Sequence, residues 1–554
     1  MTPRTFSLLH SEDSWSLPTE LYSCWNARGL YNPLQFVLRL RPDLHRALNS
    51  APAGLVTRGE VSDEQMSAFS TYLHETIHWW QHVGSTTGFI LSLIYPAQSH
   101  INHRHLKAIL KKAGPIKSIR NHNLQQAKLK KNDPELEKHI NIALNNWHDI
   151  EYYRWIVTDP IKSKRILKDA YFESVGHSYN IAITSILWLL SSTIDPNLKV
   201  FPDPRKWEEK SRELSQRKVH GFYYGSPITL PPIGAREIFE GQARFSQLQY
   251  IYFSSGKTTL WNDFEEAGMF QGVYVAAFKI FLEITEFEQP SKLDDSSVGL
   301  FLLVCDIAIN PSEFFIEETT DVENIIEIHD PGIRFIRLCI SIKNHRERFT
   351  SAIVQYSPKE YWETSNELCS LTGFKSPQSL IQRVVSWTES HQEIASLLDE
   401  DKTFKFSLEN LPVRVFLARF IRLQMDKAIN PEFFCWPGVW MTTARDDGIS
   451  PETALALFEE HRAIFLDKED GDVYPRTFND RDESSVLETF NTFYSWVVTY
   501  ELTRQWLVEP GDFEYDFYWL TSKYTQDEVC SWASSKFEEA FGVPPAGFQI
   551  IADH

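Results

Sequence analysis

The chain has little of what marks several large classes of protein. Its six cysteines, Cys24, Cys305, Cys339, Cys369, Cys435 and Cys530, include no pair at C-x-x-C spacing. That excludes a disulfide framework and a thiolate zinc cage, and it fits buried thiols in a reducing compartment. No apolar run approaches the roughly 20 residues that a bilayer span requires. The most apolar stretches, near Ile181–Leu190 and Val298–Val304, are far shorter. Behind Met1-Thr2-Pro3-Arg4-Thr5-Phe6 there is no hydrophobic segment of a signal peptide. The expectation is a cytoplasmic protein without membrane contact. No fixed-period repeat and no phosphate-cradling glycine loop is present. The run Asp467-Lys468-Glu469-Asp470-Gly471-Asp472 starts like a calcium loop, but its glycine is at the wrong offset. Positive charge is also in deficit: 55 Lys and Arg face 74 Asp and Glu, a formal net charge of −19. This argues against general binding to nucleic acid or anionic membranes.

What is present describes a folded, helix-rich protein. The 554 residues are 42% apolar and include 37 Phe, 21 Tyr and 17 Trp, whose large side chains favour packed helical cores. Leu34, Phe36, Leu38 and Leu40 alternate between Pro33 and Pro42, which predicts a bounded strand. Gly54-Leu55-Val56-Thr57 is a second strand candidate. Helical patterns follow from Ser62, over 134–157, 161–190, 235–252 and 264–287. The segment Glu288 to Ser297 reads as a linker. Beyond it the pattern is mainly helical, with breaks around 399–405 and 467–485. Over Phe513–Leu520 alternation does not decide between strand and helix. The fold class is mainly α (α+β), with a small sheet. One domain is expected over 1–290 and a helical domain or extension over 291–554.

The organising stretch is Leu73-His74-Glu75-Thr76-Ile77-His78-Trp79-Trp80-Gln81, which contains H-E-x-x-H. Histidines four apart on a helix share one face, so both imidazoles can reach one ion. Glu75 between them is placed to take a proton from water at that ion. The flanks support a helix. Ser62 and Gln65 form a capping box, with Asp63 and Glu64 in the first turn. Phe69, Leu73, Ile77 and Trp80 make an apolar stripe beside a stripe of His74, His78 and Gln81. Gly84 is a natural stop.

A catalytic zinc needs a third protein ligand. Six residues after His78 stands Gly84, so a third histidine at metzincin spacing is absent. His82 is on the same helix, where three ligands on successive turns close poorly round one ion. A Glu on a later helix is the alternative, and Glu240 fits best. Small Gly241 and Ala243 beside it allow close helix approach, and Arg244 follows one turn on. Glu237, Glu173, His177 and Asp149 are the rivals.

His74-Glu75-x-x-His78 followed by Glu240-Gly241-x-Ala243-Arg244 resembles the Glu-type zincin metallopeptidases, the gluzincins, over about 35 residues of the two helices. The resemblance implies a zincin-like domain in 1–290, Zn²⁺ held by His74, His78 and Glu240, and Glu75 as general base and acid. It implies a zinc-dependent endopeptidase whose substrate is a protein or peptide. In the cytosol such an activity is expected to be restricted and regulated. His220, Tyr223 and Tyr224 precede the Glu240 helix and are candidate oxyanion donors; Arg244 and Gln81 are candidates to orient a ligand or neighbouring group. A reading of another class is a helical interaction or scaffold protein with a structural or degenerate zinc site. A basic insertion around 100–131 runs against the overall charge. It contains Arg104, Lys107, Lys111, Lys112, Lys117, Arg120, Lys128, Lys130 and Lys131 and has no acid from His103 to Lys131. This is either a solvated helical face or a dock for an acidic partner. No aromatic residue is interleaved there, as single-strand nucleic-acid binding would require.

Overall fold

The computed structural model describes residues 28–51, 61–129, 133–313, 322–442, 448–478, 481–517 and 519–551. The strand candidate at Gly54–Thr57, and Lys130 and Lys131, lie outside these residues. Two antiparallel strands open the described chain: β1 (Gly29–Asn32) and β2 (Val37–Leu40), with Gly29 opposite Leu40. The strand expected from Leu34 starts three residues late. Asn32 Oδ1 accepts the backbone N–H groups of Leu34 and Gln35 at 3.0 and 2.9 Å, and so bends the chain. Strands β4 (Phe465–Asp467) and β5 (Val473–Pro475) complete a four-stranded sheet in the order β1-β2-β4-β5. Leu38 pairs parallel with Leu466. Asp467 locks the seam: its Oδ1 accepts from Leu40 N at 3.0 Å and lies 2.7 Å from His45 Nε2. The break expected over 467–485 thus begins with sheet. A second pair, β3 (Ile116–Lys117) with β6 (Gln549–Ile550), is parallel.

The rest is helical, as the fold class requires. In chain order the helices used below are α1 (Pro42–Asn49), α2 (Asp63–Gly84), α3 (Thr86–Ala113), α4 (Ile119–Leu129), α5 (Pro134–Thr158), α6 (Val175–Thr193), α7 (Ala235–Ser254), α8 (Trp261–Glu266), α9 (Val273–Thr285), α10 (Ser296–Ile309), α11 (Leu411–Ile429) and α12 (Glu483–Val508). Two expected helices are broken. Over 161–190 a short turn of helix, Pro160–Ser163, precedes α6, which restarts where Ser174 Oγ accepts from His177 N at 3.2 Å. Over 264–287 the chain turns between α8 and α9, where Gly268 and Gly272 have φ of 71° and 59°. The stretch 513–517 is neither helix nor strand.

The core is continuous across position 290. The segment expected to be a linker buries Leu293 at 1% exposure, and Asp295 Oδ1 accepts from Ser297 N at 2.9 Å to cap α10. Phe245 on α7 contacts Phe278 on α9 and Phe301 on α10, with ring centroids 4.3 and 5.1 Å apart. On the far side of α2, Gln424 of α11 donates to Gly84 O at 2.6 Å.

The basic stretch is woven into this fold. It forms the end of α3, then β3 and α4. Lys117 is fully buried and donates to the carbonyls of Pro510, Gly511 and Asp512. Lys112 pairs with Glu135 at 2.6 Å. Arg104, Lys107, Lys111, Lys112 and Lys128 are exposed. Among the described residues no helix is long and apolar enough to cross a membrane.

Candidate metal centre

Helix α2 forms because both ends are capped and one stripe is apolar. Ser62 and Gln65 exchange hydrogen bonds as a capping box, Gln65 N to Ser62 Oγ at 3.2 Å and Ser62 N to Gln65 Oε1 at 2.9 Å. Phe69, Leu73, Ile77 and Trp80 are all buried. Gly84 is its last residue, and Ser85 caps both α2 and the following α3. Helix α7 lies antiparallel beside it. Gln81 Nε2 donates to Phe239 O and Gln242 Oε1 at 3.0 and 2.9 Å, and Gln247 Nε2 donates to Ser70 Oγ at 3.2 Å. Gly241 lets α7 approach its other neighbours: a Cβ there would be 3.2 Å from Phe301 Cζ.

This packing brings three of the expected residues together. His74 Nε2 and His78 Nε2 are 3.1 Å apart, and Glu240 Oε2 is 3.6 and 3.4 Å from them. A tetrahedral zinc with ligand bonds of about 2.0 Å has ligand–ligand edges of about 3.3 Å. The three edges straddle that value, and two imidazoles with one carboxylate are a hydrolytic zinc donor set. Among the described residues this is the one His/Cys/Asp/Glu group arranged to hold a metal.

Charge within the cluster is shared. Burial pulls His74 down to about 4. Burial also disfavours charge on His78, but the adjacent Glu240 carboxylate outweighs it and lifts His78 to about 9. Burial would raise Glu240; the charge of His78 and the hydrogen bonds of both imidazoles hold it well below the carboxylate range instead. Glu75 is 5% exposed, and burial pushes it up to about 7 against the opposing pull of His78. Its cover is β1. A Cβ on Gly29 would lie 2.7 Å from Glu75 Cγ, so only glycine lets the strand come this close.

Gln81 touches a candidate ligand and is not one. Its Oε1 is 2.8 Å from His78 Nδ1. His74 Nδ1 is buried without a hydrogen-bond partner. Arg244 stacks over the Tyr274 ring at 4.1 Å, and that ring lies 6.0 Å from the His74 ring.

The other candidates are elsewhere. Among the described residues no hydrogen bond, ion pair or ring contact joins His220, Tyr223 or Tyr224 to the cluster. Their loop is pinned on α6, with Gly176 N donating to Gly221 O at 2.8 Å, and Tyr224 is 79% exposed. The rival ligands are engaged as well. Glu237 accepts from Gly234 N at 2.9 Å and caps α7. His177 Nε2 is 3.3 Å from Asp149 and 3.7 Å from Glu173, an ion-pair group between α5 and α6. Tyr274 and Gly29 are site residues that pattern reading misses. Tyr274 stands in an ordinary apolar run, and Gly29 in a stretch that reads as irregular.

No protein-family model matches the sequence, and neither a curated protein nor a solved structure matches the chain.

Proposed function

We propose that the protein is a zinc-dependent endopeptidase acting on a restricted intracellular protein or peptide, with His74, His78 and Glu240 as metal ligands. The observation that carries this reading is the triangle of ligand atoms at 3.1, 3.4 and 3.6 Å with the Glu75 carboxyl on the same helix. When bound, zinc supplies Lewis acidity, polarising the scissile carbonyl and lowering the pKa of water to about 7. Glu75 accepts the proton of the attacking water and delivers it to the leaving amine nitrogen. Gln81 holds the His78 ring by its Nδ1. Tyr274, whose ring is 6.0 Å from that of His74, is the candidate donor to the developing oxyanion. Among the described residues strand β1 is an edge strand, and it lies against Glu75, so an extended peptide added there would run past the general base.

A cytoplasmic setting fits the five described cysteines, all free thiols. The exposed lysines and arginines of α3 and α4 would suit an acidic partner. The alternative, an interaction protein with a structural zinc, calls for a fourth protein ligand; His177, one residue that could supply it, is paired with Asp149.

The test is metal analysis of the purified protein together with Glu75→Gln. One zinc per chain is expected, with peptide cleavage lost in the variant and zinc retained. Absence of stoichiometric zinc would remove both metal readings; unchanged cleavage by the variant would remove the peptidase mechanism.

A further inference from the structure

We infer that the substrate bears a carboxylate and that Arg244, with Arg28 beside it, receives that group along α2 on the approach to His74. The inference rests on the peptidase reading above and names its substrate class.

Arg244 lies one turn after Glu240 on α7. Its guanidinium is fixed from two sides, by the Tyr274 ring at 4.1 Å and by a hydrogen bond from NH1 to Gln247 Oε1 at 2.8 Å. Gln247 is itself held to Ser70 of α2. Arg244 Nε is buried with no hydrogen-bond partner, and among the described residues no carboxylate forms an ion pair with this side chain. The second cation, Arg28, precedes β1. Its NH1 donates to Ser67 Oγ at 2.9 Å. The nearby carboxylate, Asp43, is taken by Arg41 through two bonds of 2.9 and 2.7 Å. Burial and the charges of Arg41 and Arg244 lower the Arg28 pKa, despite the opposing pull of Asp43.

Ser67, Ser70 and His74 follow one another along one side of α2 at helical spacing. The two guanidiniums are therefore strung along the face that leads to the cluster. A guanidinium drawn away from water is costly unless a carboxylate meets it, and its planar fork is shaped for one. The chain carries an excess of 19 negative charges, and among the described residues neither cation has a carboxylate in ion-pair contact. The site's own acids, Glu240 facing the histidines and Glu75 under β1, act on Arg244 by their charge without forming an ion pair with it. An incoming carboxylate would complete the arrangement. It has two sources, the C-terminus of a peptide or an Asp or Glu side chain.

The test uses the full chain loaded with zinc and four fluorogenic random-peptide pools of equal length. The C-terminus is free or amidated, with Asp and Glu present or omitted in each. The wild type is expected to cleave a carboxylate-bearing pool with kcat/KM about tenfold or more above the fully neutral pool. Preference for the free terminus identifies the C-terminal carboxylate; preference for Asp and Glu identifies a side chain. Arg244→Gln should erase the ratio through KM for the carboxylate-bearing pool, at unchanged zinc content, and Arg244→Lys should retain part of it. Equal cleavage of all pools by the wild type, or an undiminished ratio in Arg244→Gln, would overturn the inference and leave the peptidase reading standing. If no pool is cleaved, the peptidase reading fails, and calorimetry with glutarate decides. Binding to the wild type and not to Arg244→Gln supports the carboxylate site; no binding, or equal binding, overturns it.

Discussion

Gln81 orients the ring of His78. The Gln81 amide nitrogen donates to Phe239 O and Gln242 Oε1, so its Oε1 is the atom presented to His78 Nδ1 at 2.8 Å. An acceptor there holds a proton on Nδ1 and aims Nε2, the atom that would give up its proton to a metal, at His74 and Glu240. Replacement by an apolar side chain of similar length frees the ring. Gln81→Met is expected to weaken zinc binding about 10- to 100-fold. A competitive chelator titration measures this, and an affinity equal to that of the wild type would deny Gln81 the orienting role.

Glu75 separates chemistry from metal binding. Glu75→Gln keeps the shape of the side chain and removes its basicity. Cleavage of the peptide pools should fall about 10²- to 10⁴-fold at unchanged zinc content. A loss of zinc in parallel would mean that the carboxylate has a ligand role.

Gly29 tests the same carboxyl from the other side. A methyl group there would sit 2.7 Å from Glu75 Cγ, in conflict with a side chain that is itself buried. Gly29→Ala should therefore lower kcat and leave zinc content intact. Full activity would show that β1 yields readily and does not position Glu75.

Lys427 and Asp306 form a buried pair at 2.6 and 2.8 Å, and Tyr361 also donates to Asp306 at 2.7 Å. Removing the cation strands a buried carboxylate. Lys427→Met should cost about 3–5 kcal/mol in denaturant unfolding. The double variant Lys427→Met with Asp306→Leu should recover much of that loss, and no recovery would point to packing as the cause.

Asp330 is 1% exposed, and burial raises its pKa from 3.8 to about 6, although Ile333 N and Tyr179 Oη donate to it. Below pH ~4 the folded and unfolded forms are both protonated and the full stability is present. As pH rises towards 6, the unfolded chain ionises first and stability declines by roughly 2–3 kcal/mol in total. Asp330→Asn keeps the cap and cannot ionise. Its stability relative to the wild type should rise across this window and level off above it. Parallel stability curves from pH 4 to 7 would exclude the effect.

The residues that meet at the cluster were legible where the signal is local. H-E-x-x-H, the Ser62 capping box and the apolar stripe of α2 are written within a few turns of chain. Glu240 could be nominated because small residues flank it. The remainder depends on tertiary contact. Tyr274 reaches the site because Gly268 and Gly272 turn the chain before α9, and nothing in Val273–Thr285 marks the tyrosine as special. The loop of His220, Tyr223 and Tyr224 precedes the Glu240 helix in sequence but is drawn to α6 by Gly221. Strand β4 ends at, and β5 lies within, the acidic stretch 467–485 that reads as loop. They are strands because Asp467 satisfies Leu40 N and His45, partners more than 400 residues away.

That seam has a consequence for how such a molecule can be cut or recombined. Leu38 beside the motif helix pairs with Leu466, and Gln424 secures the end of α2. A fragment ending at residue 290 would keep every ligand and the general base. It would also lose half the sheet and the helix behind the motif, exposing the raw edge of β2 to other chains. The reactive residues therefore cannot travel as a cassette. Whatever target the C-terminal half helps to select, it is also part of the frame that holds the histidines in register.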